Sequence, residues 1–233
     1  MFFFVIFAIK LHSNAHLMKN RSIVLLGASK PHEKLYTKAH ELGLTTHCIA
    51  WSQGAYCKDL ADYYCDISIQ DKKEVLNYCQ THQVDAILSN ALEMAMPTVA
   101  YVNDHLHLPG VSGSLVATCV NKHLTHHVVA STHTCRRPAY WHLGPHDQVP
   151  SLPLPVIVKP VDASRSIGIQ VVHDSATLSE AIASARAAST SGDIIIEDYL
   201  EGWQVEVDTL SYHGQHQVIV MTDMKMNKGA CIT

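Results

Sequence analysis

The sequence lacks the cysteine pattern of a metal knuckle or of a disulfide scaffold. Its seven cysteines form no Cys-x-x-Cys pair, and their odd number does not suit a closed disulfide framework. Neither a zinc knuckle nor a disulfide-rich secreted fold is indicated, because both depend on paired cysteines at short, regular spacings. A reducing cytoplasm is therefore the expected location.

The sequence also lacks a long apolar run and an excess of basic residues. The apolar stretch from Phe2 to Ile9 has eight residues, whereas a membrane-spanning helix needs about 20. Charged residues make up 16% of the 233 residues, and the net charge is -4. We therefore expect a soluble globular chain of one or two domains, with no nucleic acid and no membrane as partner.

The opening apolar stretch belongs to a segment that we place outside the fold. A secretory signal peptide needs basic residues before its apolar run, whereas Lys10 follows the run here. Met18 resembles a normal start that leads directly into a first strand. We interpret residues 1–17 as a mis-called or dispensable extension, with a cleaved signal peptide as the alternative.

From Ser22 the chain alternates strand and helix patterns, as a parallel sheet requires. Short buried runs alternate with amphipathic segments, and glycines and polar turns separate them. Strands are predicted at 23–26, 45–50, 63–67 and 84–88, and helices at 33–42, 71–81 and 91–105. These elements predict a Rossmann-like α/β domain over residues 18–112.

This domain lacks the glycine fingerprint of a dinucleotide site. The turn from Gly27 to Lys30 does not follow the Gly-x-Gly-x-x-Gly pattern, so dinucleotide binding is weakly supported. In open α/β sheets, ligands meet the loops at the carboxyl ends of the strands. The loops expected to contact a small molecule are 27–29, 52–54 and 89–93.

A lysine-bearing hairpin in the second half carries the strongest chemical signal. The β-branched run from Pro155 to Pro160 contains Lys159, and a second such run follows at 169–172. Pro160 biases Lys159 to extended geometry, so its ammonium projects from a stiff element. The small polar loop between the runs lets backbone N–H groups approach phosphate oxygens. A polyphosphate site is indicated, and an ordinary hairpin with a solvated lysine is the alternative.

An acidic strand follows the hairpin after an amphipathic helix at 176–188. The strand from Asp193 contains Glu197 and leads to a turn at Gly202 and an alternating strand. This order of elements resembles the ATP-grasp superfamily: a lysine-bearing hairpin, a helix, a strand with Glu-x-x-x-x-Gly, and a further strand. This superfamily contains ATP-dependent carboxylate–amine and carboxylate–thiol ligases, including relatives of carbamoyl-phosphate synthetase and of amino-acid ligases.

The resemblance implies a domain order and a set of ligands. A Rossmann-like pre-ATP-grasp domain at 18–112, which would bind the carboxylate substrate, is followed at 113–233 by the N-terminal part of an α+β ATP-grasp domain. The implied ligands are ATP, a small-molecule carboxylate and an amine or thiol acceptor, and a homodimer is compatible with the family.

The resemblance also implies the role of individual residues. Lys122, which follows Asn121 as the family's first ATP-contacting lysine follows an Asn or Asp, would reach the α- and β-phosphates with Lys159. The loop at 164–168 would cover the β- and γ-phosphates, and Glu197 would accept a hydrogen bond from the adenine 6-amino group. The full set implied to bind nucleotide is Lys122, Lys159, Ser164, Arg165, Ser166, Gly168, Glu197, Tyr199, Leu200 and Gln204.

Two departures from the family pattern concern the nucleotide. The family loop carries several glycines, and here only Gly168 is present. Gln204 stands where the family has a ribose-binding glutamate, and Glu206 points to the same face of the strand two residues later. Because an amide still bonds a hydroxyl, we expect nucleotide binding to be weakened rather than lost.

A third departure concerns magnesium and catalysis. In the family, Mg²⁺ bridges the phosphates and is held by carboxylates and an asparagine in the second half of the grasp domain. Asp223 is the only carboxylate after Asp208, so Mg²⁺ ligands are not expected in this chain and no catalytic residue is assigned. The chain is interpreted either as a truncated front portion of a ligase that binds ATP without turnover, or as a non-catalytic nucleotide- or metabolite-binding module or inactive gene fragment.

The segment between the two domains yields two further expectations. Residues 114–131 are predicted to form one helix, and residues 138–155 a proline-rich connection. His123, His126 and His127 have a helical spacing that can share a metal. With 17 histidines in the chain, coincidence is the favoured explanation for that spacing.

Overall fold

The computed structural model describes residues 20–90, 92–132, 135–164, 166–212 and 214–224. The extension predicted at 1–17 lies outside these residues. Among the described residues the chain divides into two compact units, one with residues 20–116 together with Val207–Val220, and one with Ala117–Glu206 together with residues 221–224. No helix of the described segments is long and apolar enough to cross a bilayer.

The first unit is built on a four-stranded parallel sheet in the spatial order β3-β2-β1-β4. The strands are β1 (Ser22–Leu26), β2 (Thr45–Ile49), β3 (Tyr63–Cys65) and β4 (Ala86–Leu88). The helices are α1 (Glu33–Glu41), α2 (Lys72–Thr81) and α3 (Met96–Leu106), with 3₁₀ turns at Lys30–His32, Lys58–Leu60 and Glu93–Ala95. The predicted Rossmann-like α/β sheet is confirmed.

Local sequence explains where the helices of this unit begin. The Asp71 side chain accepts hydrogen bonds from the backbone of Lys73 and Glu74, which satisfies free N–H groups at the start of α2. Pro97 lies in the first turn of α3, where its missing N–H costs nothing. Helix α3 therefore begins close to Pro97, later than the predicted residue 91.

The second unit is built on a four-stranded antiparallel sheet in the spatial order β5-β8-β6-β7. The strands are β5 (Tyr140–Leu143), β6 (Val156–Pro160), β7 (Gln170–Val172) and β8 (Ile194–Asp198). The helices are α4 (Gly113–Val120), which has residues in both units, α5 (Lys122–Thr132) and α6 (Ser175–Ala188). A separate two-stranded sheet contains β9 (Val205–Tyr212) and β10 (Gln215–Asp223), and most residues of both strands belong to the first unit.

The antiparallel sheet of the second unit has two chemically different faces. Because successive strand residues point to opposite faces, each strand contributes alternate side chains to each. One face packs on α6 and forms the hydrophobic core. The buried residues of this core are Leu143, Val156, Val158, Val172, Ala181, Ile182, Ala185, Ile194 and Ile196. The opposite face, called here the polar face, carries Lys159 and Glu197 beside Ile157 and Ile195.

Strand β5 was not anticipated, because the sequence from 138 to 155 was interpreted as a connection. The structure shows that Tyr140–Leu143 pair with β8, where Trp141 lies opposite Ile196 and Leu143 opposite Ile194. Trp141 and Leu143 face the hydrophobic core, and Tyr140 faces the polar face. This strand forms because it pairs with a strand some 50 residues later. The prolines on either side of it favoured a connection over a strand in the sequence analysis.

The single helix predicted over 114–131 is wrong, because the chain breaks it at Asn121. Asn121 N–H donates to the Ala117 carbonyl and closes α4, while its Oδ1 accepts from Leu124 N–H at 3.1 Å and opens α5. The next N–H, of Lys122, donates to the Val161 carbonyl at 2.9 Å instead of to Thr118. A tertiary hydrogen bond and a side-chain cap therefore replace one turn of helix.

Asn121→Ala should destabilise the second unit by about 1 kcal/mol, because the N-terminal N–H groups of α5 lose their side-chain acceptor. Asn121→Asp keeps an acceptor at the same position and serves as the matched control. Urea unfolding followed by circular dichroism measures both. An aspartate variant as unstable as the alanine variant would contradict the capping role.

Candidate functional site

A buried ion pair lies on the polar face of the antiparallel sheet. Lys159 Nζ on β6 donates to Glu197 Oε2 on β8 at 2.8 Å. Ile157 lies opposite Glu197, and Lys159 lies opposite Ile195, so the two charged residues are diagonal neighbours on one face. Only 7% of Lys159 and 6% of Glu197 are exposed. Two charges are thus held out of water by the pairing of adjacent strands.

A third residue completes the coordination of the carboxylate. Glu197 Oε1 lies 3.0 Å from His126 Nε2 on α5, and both side chains are largely buried. Because an ionised carboxylate only accepts hydrogen bonds, Nε2 of His126 carries the hydrogen. We call Lys159, Glu197 and His126 the charged cluster. It joins one helix and two strands through both oxygens of a single carboxylate.

Two imidazole rings of α5 stack on side chains of β5 that lie on the polar face. The His126 ring stacks on Tyr140 of β5 with centroids 4.4 Å apart, and His123 stacks on His142 with centroids 4.1 Å apart. Tyr140 lies opposite Glu197 in the sheet. The stacking therefore places His126 directly over the strand pair that carries the charged cluster.

His123 contributes packing to this arrangement. Burial lowers the pKa of the His123 imidazole, and the neighbouring imidazoles lower it further. A lowered pKa favours the neutral ring, which stacks without bringing a charge under α5. In the described ranges, no three His, Cys, Asp or Glu side chains lie close enough to hold a metal ion. The helical spacing of His123 and His126 is accounted for by their contacts with β5 and Glu197.

Lys122 lies at the base of the loop that joins β6 to β7. Its Nζ donates to the Ala163 carbonyl at 2.8 Å, and its N–H donates to Val161 at 2.9 Å. Of the predicted phosphate-covering residues, Ser164 is exposed and Ser166 is partly buried. Arg165 lies outside the described residues. The structure thus brings Lys122 to the loop and Lys159 to Glu197.

Both ends of the loop contact the C-terminal end of α6 and the residues directly after it. Asp162 accepts hydrogen bonds from Ser189 Oγ at 2.8 Å and from the N–H groups of Thr190 and Ser191, each at 3.2 Å. At the far end, Gly168 has a φ of +73°, and a Cβ there would lie 2.6 Å from that of Ala188. Both the conformation and the close approach require glycine. The segment between these anchors presents Ser164 to solvent.

The remaining predicted residues follow β8. Tyr199 N–H donates to the Pro155 carbonyl at 3.2 Å, which extends the pairing of β8 with the start of β6. Leu200 is 67% exposed. Gln204 is partly buried, and its backbone carbonyl accepts from Met224 N–H at 2.9 Å. Tyr199 therefore lies at the end of the strand that carries Glu197, and Leu200 and Gln204 lie in the segment that leads to β9.

Sequence reasoning missed two residues that organise this site. His126 follows Lys122 by four positions, and that spacing places two residues on the same face of a helix. This spacing was a usable signal for a shared site. Asp162 stood inside the predicted polar loop, and nothing in the sequence distinguished an anchor on α6 from a loop side chain exposed to ligand.

Lys159→Met should destabilise the chain by about 3 kcal/mol, because it leaves the Glu197 charge buried with one donor fewer. The double variant Lys159→Met with Glu197→Gln should lose less stability than the two single variants lose together, since neither charge is then left unpaired. Denaturant unfolding of the four proteins gives the coupling energy.

The matched control for this cycle is the ion pair between Lys38 and Glu41 on α1. It has the same distance of 2.8 Å, but its side chains are 58% and 57% exposed. Lys38→Met should change stability by less than about 1 kcal/mol. Additive losses at Lys159 and Glu197 would show that the buried pair is not coupled.

Comparisons with known proteins found a family model and curated relatives that match part of the chain. Residues 133–230 match the family model described as D-ala D-ala ligase C-terminus. The D-alanine--D-alanine ligase of Nocardia farcinica is 34% identical over 152 residues, which are 62% of this chain and 39% of that protein.

Two solved structures share the fold over nine tenths of the chain. The L-amino acid ligase from Bacillus licheniformis has a TM-score of 0.73 at 20% identity. The match covers 91% of this chain and 52% of the ligase. An ADP complex of N5-carboxyaminoimidazole ribonucleotide synthetase has a TM-score of 0.73 at 17% identity and covers 90% and 56%. The chain thus spans about half the length of these structures and less of the Nocardia protein.

Proposed function

Because the chain belongs to the ATP-grasp superfamily, we propose that its second unit binds ATP as part of an ATP-dependent ligase. Such a ligase activates a small-molecule carboxylate as an acyl phosphate, which an amine or a thiol then attacks. The match to D-alanine--D-alanine ligases and the fold shared with an L-amino acid ligase support this reaction type.

The observation that carries the proposal is the buried pair of Lys159 and Glu197. Burying an ion pair gives little net stability, because the cost of desolvation offsets the attraction between the charges. A buried pair of charges on a sheet face is therefore a candidate for ligand binding. Glu197 offers an acceptor for the adenine 6-amino group, and Lys159 offers a cation for the phosphates.

Lys159 can donate to Glu197 and to a phosphate group at the same time. Its ammonium has three N–H donors, and the contact with Glu197 uses one of them. The others remain for a phosphate oxygen. Charge-assisted contacts of this kind contribute about 1.5 to 3 kcal/mol each. In the proposed bound state, Lys159 therefore keeps its contact with Glu197 while it binds a phosphate oxygen.

The loop between β6 and β7 supplies the second part of the phosphate site. Lys122 is bonded to the start of this loop, and Asp162 and Gly168 fix its two ends on α6. Between these anchors, Ser164 and Ser166 are small enough for backbone N–H groups to approach β- and γ-phosphate oxygens. Arg165 is assigned to the same phosphates, and Tyr199, Leu200 and Gln204 to the adenine and ribose.

Magnesium is implied by the family, and we propose no ligands for it among the described residues. The described part of the chain contains no group of three suitable side chains, and Asp223 on β10 is exposed. We therefore assign no metal-binding residue and no catalytic residue. The residues described above bind and orient the nucleotide, and phosphoryl transfer is a property proposed for the whole enzyme.

We assign the carboxylate substrate to the first unit, at the carboxyl ends of its strands. Ser89 Oγ after β4 donates to the Leu26 carbonyl at the end of β1 at 2.7 Å, so the loops after β1 and β4 begin side by side. Gly27 has a φ of +110°, a conformation available chiefly to glycine. The switch point of the sheet lies between these strands, where ligands of open α/β sheets bind. A cytoplasmic location and a homodimer complete the proposal.

Lys159→Ala should weaken ATP binding about ten- to a hundredfold, because one charge-assisted contact to the phosphates is lost. Isothermal titration of ATP into the purified chain measures this change. Lys38→Ala, which removes an exposed lysine of the first unit, is the control and should leave the affinity unchanged.

Thermal unfolding of each variant separates a lost contact from a lost fold. A folded Lys159→Ala protein with parental ATP affinity would contradict the assignment of the phosphate site. Absence of ATP binding by the parent chain would contradict the proposed function itself.

A further inference from the structure

The charged cluster contains one residue that the proposed nucleotide contacts do not use. We infer that His126 is a positioning residue that fixes the carboxylate plane of Glu197 and thereby selects a 6-amino purine over a 6-oxo purine. The inference rests on the proposed function, because it concerns how the same site distinguishes ATP from other nucleoside triphosphates.

The two donors hold Glu197 from opposite ends of its carboxylate. Lys159 donates to Oε2 at 2.8 Å, and His126 donates to Oε1 at 3.0 Å. With a single donor, the carboxylate could rotate about its last side-chain bond, whose torsional preference is broad. With one donor on each oxygen, the plane of the carboxylate is set by groups on two different elements.

His126 is itself held in place by contacts that do not involve Glu197. Its ring stacks on Tyr140 at 4.4 Å with an interplanar angle of 28°, and the Arg137 guanidinium carbon lies 5.5 Å from the centre of that tyrosine ring. The N–H of Lys122 donates to Val161 at the start of α5, which fixes the helix against the sheet. His126 therefore presents Nε2 from a rigid support.

A fixed carboxylate discriminates between purines by its remaining lone pairs. Each oxygen of Glu197 has two acceptor positions, and the observed contacts occupy one on each. A free position accepts an N–H of the 6-amino group of adenine. The 6-oxo group of hypoxanthine or guanine is also an acceptor, so it would face a carboxylate oxygen with no hydrogen between them, and the site would reject it.

Without His126, this selection should weaken. Glu197 could then turn its plane so that the lone pairs no longer point at the amino group. Affinity for ATP would fall, whereas affinity for inosine triphosphate, which gains nothing from the carboxylate, would not. A purely structural role of His126 would lower both affinities together.

The experiment is isothermal titration of ATP and of inosine triphosphate into four forms of the full chain. These forms are the parent, His126→Leu, His126→Gln and His127→Leu. Leucine removes the donor, glutamine keeps an N–H near the position of Nε2, and His127 is the exposed neighbour of His126 on α5. If His126→Leu does not fold, His126→Asn replaces it, because its shorter side chain holds the amide away from Glu197.

We expect the parent to prefer ATP, and His126→Leu to reduce the ratio of the two dissociation constants about tenfold. His126→Gln should restore most of that ratio, and His127→Leu should leave it unchanged. An unchanged ratio in His126→Leu, an equal loss for both nucleotides, or failure of glutamine to restore the ratio would overturn the inference. A parent that binds ATP without preference would overturn the inference alone, whereas a parent that does not bind ATP would overturn the proposed function as well.

Discussion

The contact between Lys159 and Glu197 is the interaction on which the second unit depends. Two charged groups lie 2.8 Å apart on one face of the sheet, with less than a tenth of either residue exposed. Such an arrangement persists only where partners satisfy both charges, because an unpaired buried charge costs several kcal/mol. The position of α5, the stack of His126 on Tyr140 and the pairing of β5 with β8 all enclose this contact.

The two faces of the antiparallel sheet have different roles: one forms the hydrophobic core, and the other carries the residues proposed to bind nucleotide. Aliphatic residues of β6 and β8 alternate with Lys159 and Glu197, so one strand pair supplies a hydrophobic core to α6 and charged groups to the opposite side. The loop between β6 and β7 is anchored to the same helix through Asp162 and Gly168. A single rigid layer therefore positions both the charged cluster and the proposed phosphate loop.

Much of this arrangement could be predicted from local sequence. β-branched runs around Lys159 and Glu197 predicted their strands, and the amphipathic pattern at 176–188 predicted α6 to within one residue. The parallel pairing of β1 to β4 agrees with the alternation of strands and helices predicted from Ser22. In each case the information lies within one short segment, where periodicity and turn residues suffice.

The features that were missed depend on partners distant in sequence. Strand β5 exists because of pairing with β8, and the break at Asn121 exists because Lys122 N–H bonds to Val161. The contact of His126 with Glu197 spans 71 residues. No local pattern encodes such pairings, although the four-residue spacing of Lys122 and His126 gave a partial indication.

The claim that the second unit binds ATP can be tested directly by hydrogen–deuterium exchange with and without the nucleotide. The account predicts slower exchange in the loop between β6 and β7 and in β8 with the residues that follow it, and unchanged exchange in α2 of the first unit. Backbone N–H groups that donate to phosphate or to adenine exchange more slowly while they are bonded. Protection confined to the first unit, or no protection at saturating ATP, would contradict the account.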